Sequence, residues 1–241
     1  MKNLITINDP KSPISESYRG IRTNIQFSNL DKNIKVINIT SSKQGEGKTT
    51  ILSNLATTFA NLEKKVLILD GDLRNPTIHR MFELTNVCGV TNVLLEEKSF
   101  EECVHCTDTK NLHILTSGTI PPNPSELLAS NKMIEFVNKL KESYDYIFID
   151  TPPIGIVTDA GIISTYSDGC VFVVGAKEVE IEMVKISIDR LENVGANILG
   201  NILNKFEVSK NNSNYYNNYY NKESSNKKLK FKIRKKIDKE E

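Results

Sequence analysis

SSKQGEGKTT, residues 41–50, lies between two stretches of opposite periodicity. Before it, VINITSS (36–42) is a short, nearly continuous apolar run that reads as a buried strand. After it, KTTILSNLATTFANLEKK (48–65) has the 3.6-residue repeat of an amphipathic helix. A glycine-rich loop between a strand and a helix N-terminus is built to hold phosphate. Glycines let backbone N–H groups close round phosphate oxygens, and the helix presents the positive end of its dipole. Lys48 is placed to reach the outer phosphates, and the Thr49 hydroxyl to ligate Mg²⁺. Ser42 stands where the usual pattern has glycine, whereas Gly45, Gly47, Lys48 and Thr49 keep it. The plain alternative is a glycine-rich turn with no ligand. A dinucleotide fingerprint does not fit, because residue 50 is Thr.

Working outward, the same alternation repeats. KVLILDGD (65–72), LHILTSG (112–118), YDYIFIDTPP (144–153), GCVFVVGA (169–176) and ILGNILNKF (198–206) read as strands. NKMIEFVNKLKES (131–143) and VEIEMVKISIDRLENVG (179–195) read as helices. Strand alternating with helix predicts an α/β fold: a doubly wound, mainly parallel sheet with helices on both faces. PISESYRGIRTNIQFSN (13–29) predicts a further helix, with Ser12 or Ser15 near its start. The expected organisation is an N-terminal segment (1–30), a phosphate-loop domain (31–206) and a disordered Tyr-rich, basic tail (207–241), where Asn, Ser and Lys dominate.

The chain has 241 residues, 39% of them hydrophobic and 25% charged, within the range of a globular protein with a sizeable core. Net charge is +1, yet residues 227–241 carry eight basic against three acidic residues, so the rest of the chain is net acidic. With a low net charge and the basic patch confined to the tail, no nucleic-acid partner is expected. No apolar run reaches a membrane span of roughly 18 residues, and no secretion signal opens the chain. The expectation is a cytosolic protein. Cys88, Cys103, Cys106 and Cys170 are then expected as reduced thiols, Cys88 and Cys170 as small core residues. Cys103 and Cys106 form a lone CxxC in a helix-like segment, expected to be half-buried, with metal or cluster binding the minor reading. His79, His105 and His113 show no ligand spacing.

Asp70 and Asp72 close one apolar strand and Asp150 another, at the carboxyl ends where α/β sheets bind ligands. Two carboxylates two apart on an extended segment point the same way. They can hold Mg²⁺ waters, or accept a proton from an attacking hydroxyl. Any single strand-end Asp is as readily a cap or turn former; three beside one phosphate loop make a site. Lys43, five residues before Lys48, resembles the early lysine of the dimeric ATPases that include partition and septum-site proteins. There it reaches the partner's phosphates, and an exposed loop lysine without a role is the alternative.

GEGKTT, LILDGDLRNP, SGTIPPNPSELLAS (117–130) and FIDTPPIGIVTDA (148–160) together resemble the bacterial tyrosine kinases of capsule and exopolysaccharide synthesis. The closer form is the one whose cytoplasmic kinase is a chain separate from its membrane activator. That resemblance, from about Ser15 to the tail, implies ATP and Mg²⁺ as cofactors. It implies nucleotide contacts from Ser42, Lys43, Gln44, Gly45, Glu46, Gly47, Lys48, Thr49 and Thr50, and adenine contact from Asn204 in LNKF. It makes Asp70 the base toward the tyrosine hydroxyl, with Thr49, Asp72 and Asp150 round the metal. It reads Glu16, Arg19 and Arg22 in ESYRGIR as a contact between subunits of a ring; a solvated helix face is the alternative. NSNYYNNYYNK (212–222) becomes the autophosphorylated segment, with Tyr215, Tyr216, Tyr219 and Tyr220 as acceptors. A transmembrane activator that recruits the chain to the inner membrane face and a tyrosine phosphatase are implied partners. The rival expectations are a partition- or septum-type ATPase switch and, more remotely, an iron–sulfur carrier ATPase.

Overall fold

The computed structural model describes residues 4–29 and 33–207. In chain order its elements are α1 (Ile5–Asn8), α2 (Pro13–Ser28), β1 (Val36–Ser41), α3 (Lys48–Ala60), β2 (Val66–Asp70) and α4 (Ile78–Met81). Next come α5 (Val90–Leu94), α6 (Phe100–Cys103), β3 (His105–Cys106), β4 (Leu112–Leu115), α7 (Pro124–Leu128) and α8 (Asn131–Ser143). β5 (Tyr146–Asp150), α9 (Asp159–Ser164), β6 (Gly169–Gly175), α10 (Ile181–Asn193) and β7 (Ile198–Asn204) complete the order. One seven-stranded sheet runs β3-β4-β2-β5-β1-β6-β7, and every pair except β3/β4 is parallel. The expected mainly parallel, doubly wound sheet is therefore present. The described residues up to Lys205 form one compact unit.

Alternation along the central strands explains why helices cover both faces. Ile37, Ile39, Ile68, Tyr146 and Phe148 enter one apolar cluster, with Leu52, Leu55 and Phe59 of α3. Their strand neighbours Val36, Leu67, Leu69, Ile147 and Ile149 enter another, with Met133, Val137 and Leu140 of α8. Successive side chains leave a strand on opposite sides. A strand apolar at every position must therefore be covered twice. The Phe59 ring lies 4.4 Å from Tyr146 and 5.3 Å from Phe148, centroid to centroid.

The helix starts follow their caps. Ser12 caps α2 through the Ser15 N–H at 3.2 Å, and Ser130 caps α8 through the Met133 N–H at 3.2 Å. α3 stops at Ala60 rather than 65, because Glu63 takes a left-handed conformation (φ +60°) that ends the helical run. α1 was not anticipated: Thr6 donates from N and Oγ1 to Asn54 Oδ1 of α3 at 3.1 and 3.0 Å. Among the described residues no helix is long and apolar enough to cross a membrane.

Candidate active site

β1 delivers the chain to the loop and α3 takes it away. Gly45 and Gly47 have φ of +89° and +96°, values that only glycine adopts cheaply. Space adds a second constraint at Gly47, where a Cβ would fall 2.2 Å from Asn204 Nδ2. That amide donates to the Glu46 carbonyl at 2.8 Å. Glu46, fully buried, braces the loop with both carboxylate oxygens: Oε1 accepts from Lys43 N and Oε2 from Gly175 N, each at 2.7 Å. Lys48 is the first residue of α3 and is buried.

The strand register brings the acids together. Asp70 and Asp150 are paired positions on adjacent parallel strands, and Thr49 Oγ1 donates to Asp150 Oδ2 at 2.6 Å. Asp150 Oδ1 is buried without a hydrogen-bond partner among the described residues. Burial pushes the Asp150 carboxyl up to about 6, against the opposing pull of Lys48 and the Thr49 hydroxyl. Asp70 is pushed well above the carboxylate range, first by burial and then by the Asp150 charge. Its Oδ1 accepts the Asp72 N–H at 3.3 Å and its Oδ2 the Ile78 N–H at 3.1 Å.

A cavity of about 480 Å³ opens above these groups. One wall is the loop and helix start, Gln44 to Thr50; a second is Asp72, Arg74, Asn75 and Thr77; a third is Pro152, Pro153, Ile156 and Val157. Asp72 reaches this cavity; Asp70 does not line it and is fully buried. The expectation that the two carboxylates point the same way needs correction. β2 ends at Asp70, and the chain turns at Gly71, whose N–H is held by the Asp150 carbonyl at 2.8 Å. Asp72 then starts a turn, accepting the Asn75 N–H at 2.9 Å. Burial raises its carboxyl too, with the Asn75 N–H and Lys48 opposing. Hard oxygen donors from Thr49, Asp72 and Asp150, one of them with an unused buried lone pair, fit a small divalent cation such as Mg²⁺.

A family profile described as an AAA domain matches residues 34–205. Tyrosine-protein kinase YwqD of Bacillus subtilis (strain 168) is 44% identical over 215 residues, covering 89% of this chain and 91% of the other. The chain belongs to the bacterial tyrosine-protein kinase family. The crystal structure of the chimerical protein CapA2B2 superposes on this family member with a TM-score of 0.84 at 41% identity, covering 86% of this chain and 92% of the other. The septum site-determining protein MinD of Pyrococcus horikoshii OT3 follows at 0.62 and 28%, covering 73% and 72%. The wider phosphate-loop fold is thus shared, but the likeness to tyrosine kinases is the greater. That ordering favours the kinase reading over the septum-type alternative.

Other expected site residues of this kinase-family chain fall into place unevenly. Lys43 does not point into the cavity: its Nζ donates to the Glu178 carbonyl. Lys205, just beyond β7, donates to the Gly45 carbonyl at 2.7 Å and to both Glu178 carboxylate oxygens at 2.8 and 2.9 Å. Asn204 flanks the loop, with its amide engaged by Glu46. On α2, Glu16 pairs with Arg19 at 2.7 Å, and Arg19 also reaches the Pro10 carbonyl at 2.7 Å. Arg22 turns inward and donates to the Thr58 carbonyl of α3 at 2.9 Å. The three therefore do not share one free face. Tyr215, Tyr216, Tyr219 and Tyr220 lie outside the described residues.

The cysteines also depart from expectation. Cys88 and Cys103, Cα atoms 5.1 Å apart, are joined as a disulfide. The loop before α5 and the end of α6 pack together in the core between α5 and α8, which brings these two thiols into contact. The CxxC is therefore not a unit: Cys103 is buried and Cys106 exposed. Among the described residues no cluster of His, Cys, Asp and Glu forms a further metal site. His113 Nδ1 and Tyr144 Oη are hydrogen-bonded at 2.7 Å, a structural role.

Sequence reasoning missed Thr77, Arg74 and Asp159. Thr77 Oγ1 lies 3.0 Å from Thr49 Oγ1. Arg74 and Asp159 form a bidentate pair, Nε to Oδ2 at 2.7 Å and Nη2 to Oδ1 at 3.1 Å. The signal was present as the R of LILDGDLRNP and the D of GIVTDA, but nothing in either segment says that they meet.

Proposed function

We propose that the chain is an ATP-dependent protein-tyrosine kinase that phosphorylates tyrosines in the 207–241 tail of a neighbouring copy and thereby regulates capsular or extracellular polysaccharide synthesis. The observation that carries this is one cavity with the phosphate loop on one wall and the Asp72 carboxylate on another. Loop N–H groups and Lys48 hold and neutralise the phosphates as charge builds on the transferred group. Mg²⁺ would be held by Thr49 and Asp150, leaving the Asp72 carboxylate to the acceptor, and would supply charge neutralisation when bound. Asp72 is the carboxylate exposed to an incoming phenol and takes its proton; Asp70 supports it from behind through the Asp72 N–H. This moves the base from Asp70, the residue that the family resemblance implies, to its neighbour. A phenol has a free pKa of about 10, so transfer near neutral pH needs such an acceptor.

The rest of the proposal is organisational. Residues 1–30 serve assembly, 31–206 the chemistry and 207–241 the acceptor tail. Copies join in a ring through Glu16, Arg19 and Arg22, and Lys43 leaves Glu178 to reach a neighbour's phosphates. Asn204 turns to the adenine when nucleotide binds. A transmembrane activator brings the chain to the inner membrane face, and a tyrosine phosphatase resets it. Each phosphate adds about −1.5 to −2 charges, so a modified tail is repelled and the ring loosens.

The test is incubation with ATP and Mg²⁺, with and without the activator's cytoplasmic segment, read by anti-phosphotyrosine blot. Wild type gives signal, Lys48→Met none, and a chain truncated after Phe206 none. Absence of signal from wild type with activator present overturns the kinase reading. Signal persisting in the truncation overturns only the tail assignment.

A further inference from the structure

Two walls of the cavity come from segments some eighty residues apart in sequence, the turn after β2 and the loop after β5. A single side-chain cluster ties them together. Arg74 leaves the first wall and forks onto Asp159, the first residue of α9, directly after the second wall. Arg74 Nη2 also donates to Ser125 Oγ at 2.7 Å, and Ser125 Oγ donates to Asp159 Oδ1 at 2.9 Å. The ring of hydrogen bonds is closed, and it recruits a third segment, α7, behind the Pro-rich loop.

We infer that Arg74, Asp159 and Ser125 are positioning residues that set the width of the acceptor side of the cavity and so align the tyrosine, rather than residues that hold ATP. The inference rests on the kinase reading. Three features carry it. The Asp159 carboxylate is fully buried, so its charge needs a fixed partner, and a planar guanidinium is the donor that satisfies both oxygens at once. The backbone N–H of Arg74 and that of Asn75 are accepted by Asp72 Oδ1, so anchoring the Arg74 side chain anchors the turn that aims Asp72. The phosphate loop is braced independently, by Glu46, Asn204 and Lys205. Loss of the Arg74 fork therefore frees the acceptor wall while leaving the nucleotide wall held.

The experiment uses full-length chains with activator segment and Mg²⁺, and a mass-tagged full-length Lys48→Met chain as acceptor. Donors are wild type, Arg74→Lys, Ser125→Ala, Asp159→Asn and the charge-free double variant Arg74→Gln/Asp159→Asn. The double variant leaves no orphaned buried charge, so it keeps the test valid where a single variant fails to fold. Affinity for a fluorescent ATP analogue is expected within about twofold of wild type. Transfer to the acceptor is expected to fall about 10–100-fold, the cost of misplacing a reacting group by about 1 Å. Arg74→Lys, which keeps the charge but not the fork, falls between wild type and the double variant. Transfer at the wild-type rate in the double variant overturns the inference, as does ATP affinity falling in step with transfer. If wild type itself transfers nothing, the kinase reading and this inference fall together. If wild type transfers and the double variant matches it, only this inference falls.

Discussion

Thr49 Oγ1 and Asp150 Oδ2 are 2.6 Å apart, a hydrogen bond that joins the first turn of α3 to the end of β5. It places a hydroxyl and a carboxylate, both proposed metal ligands, in contact before any cation arrives. The carboxylate is buried at a cost, since its pKa stands at about 6 instead of near 4.

That cost has a sign. A carboxyl whose folded pKa exceeds its unfolded value is protonated more in the folded chain. Stability is therefore fuller below about pH 4 and is lost as pH rises through about 6. Asp150→Asn is expected to stabilise the ligand-free chain by on the order of 2 kcal/mol at pH 7.5 and to flatten this pH dependence. It should also abolish phosphotyrosine formation. Thermal melts of both chains between pH 4 and 8 check it; a variant that melts lower than wild type at pH 7.5 contradicts the argument. Mg²⁺ with nucleotide should raise the wild-type melting temperature and leave the variant's nearly unchanged.

Asp72 and Asp70 should separate by function. Asp72→Asn removes the group exposed to the cavity, and a loss of about 10²–10⁴-fold in transfer rate is expected with ATP affinity kept. Asp70→Asn removes a charge that burial and Asp150 disfavour, so it is expected to melt higher at neutral pH. Equal loss of ATP affinity in both variants would assign both to nucleotide binding.

Lys43 is tied to the Glu178 carbonyl of its own chain, whereas the proposed role lies in a neighbour's site. Mixing decides between them. Lys43→Met and Lys48→Met chains, each inactive, are expected to regain activity together, because the first keeps Lys48 and the second lends Lys43. No recovery places Lys43 in its own site.

Arg22 is expected to act differently from its two neighbours on α2. Its guanidinium is half-buried against the Thr58 carbonyl, and burial, with Arg19 adding, lowers its pKa. Arg22→Ala should cost about 1–3 kcal/mol of stability by leaving that carbonyl unsatisfied. Glu16→Gln and Arg19→Gln, on the exposed side, should leave the melting temperature within about a degree, because exposed ion pairs contribute about 0–1 kcal/mol. Native mass spectrometry then reads the assembly: a ring that survives both exposed substitutions removes them from the subunit contact.

The parallel sheet is legible because most of its strands are nearly continuous apolar runs closed by turn residues. The phosphate loop was legible because its residues are consecutive and their chemistry depends on local backbone. Strand-end Asp150 was read for the same reason. The short elements α4 to α7 were not, since four or five residues carry no usable period. Two-residue spacing looks the same on a strand and on a turn, so the sequence does not distinguish the turn at Asp72 from an extension of β2.

The sequence by itself determined the layers, the strand–loop–helix that cradles phosphate and the presence of three acids near it. All of these follow from residues a few positions apart, whose periodicity and side-chain size act locally. Only the tertiary structure decided which acid faces the cavity, that Cys88 pairs with Cys103 rather than Cys106, that Arg22 turns inward, and that Arg74 closes on Asp159 and Ser125. Those depend on the order in which parallel strands are laid side by side. Sheet order places β2 beside β5, and with it Asp70 beside Asp150 and the turn after one strand against the loop after the other.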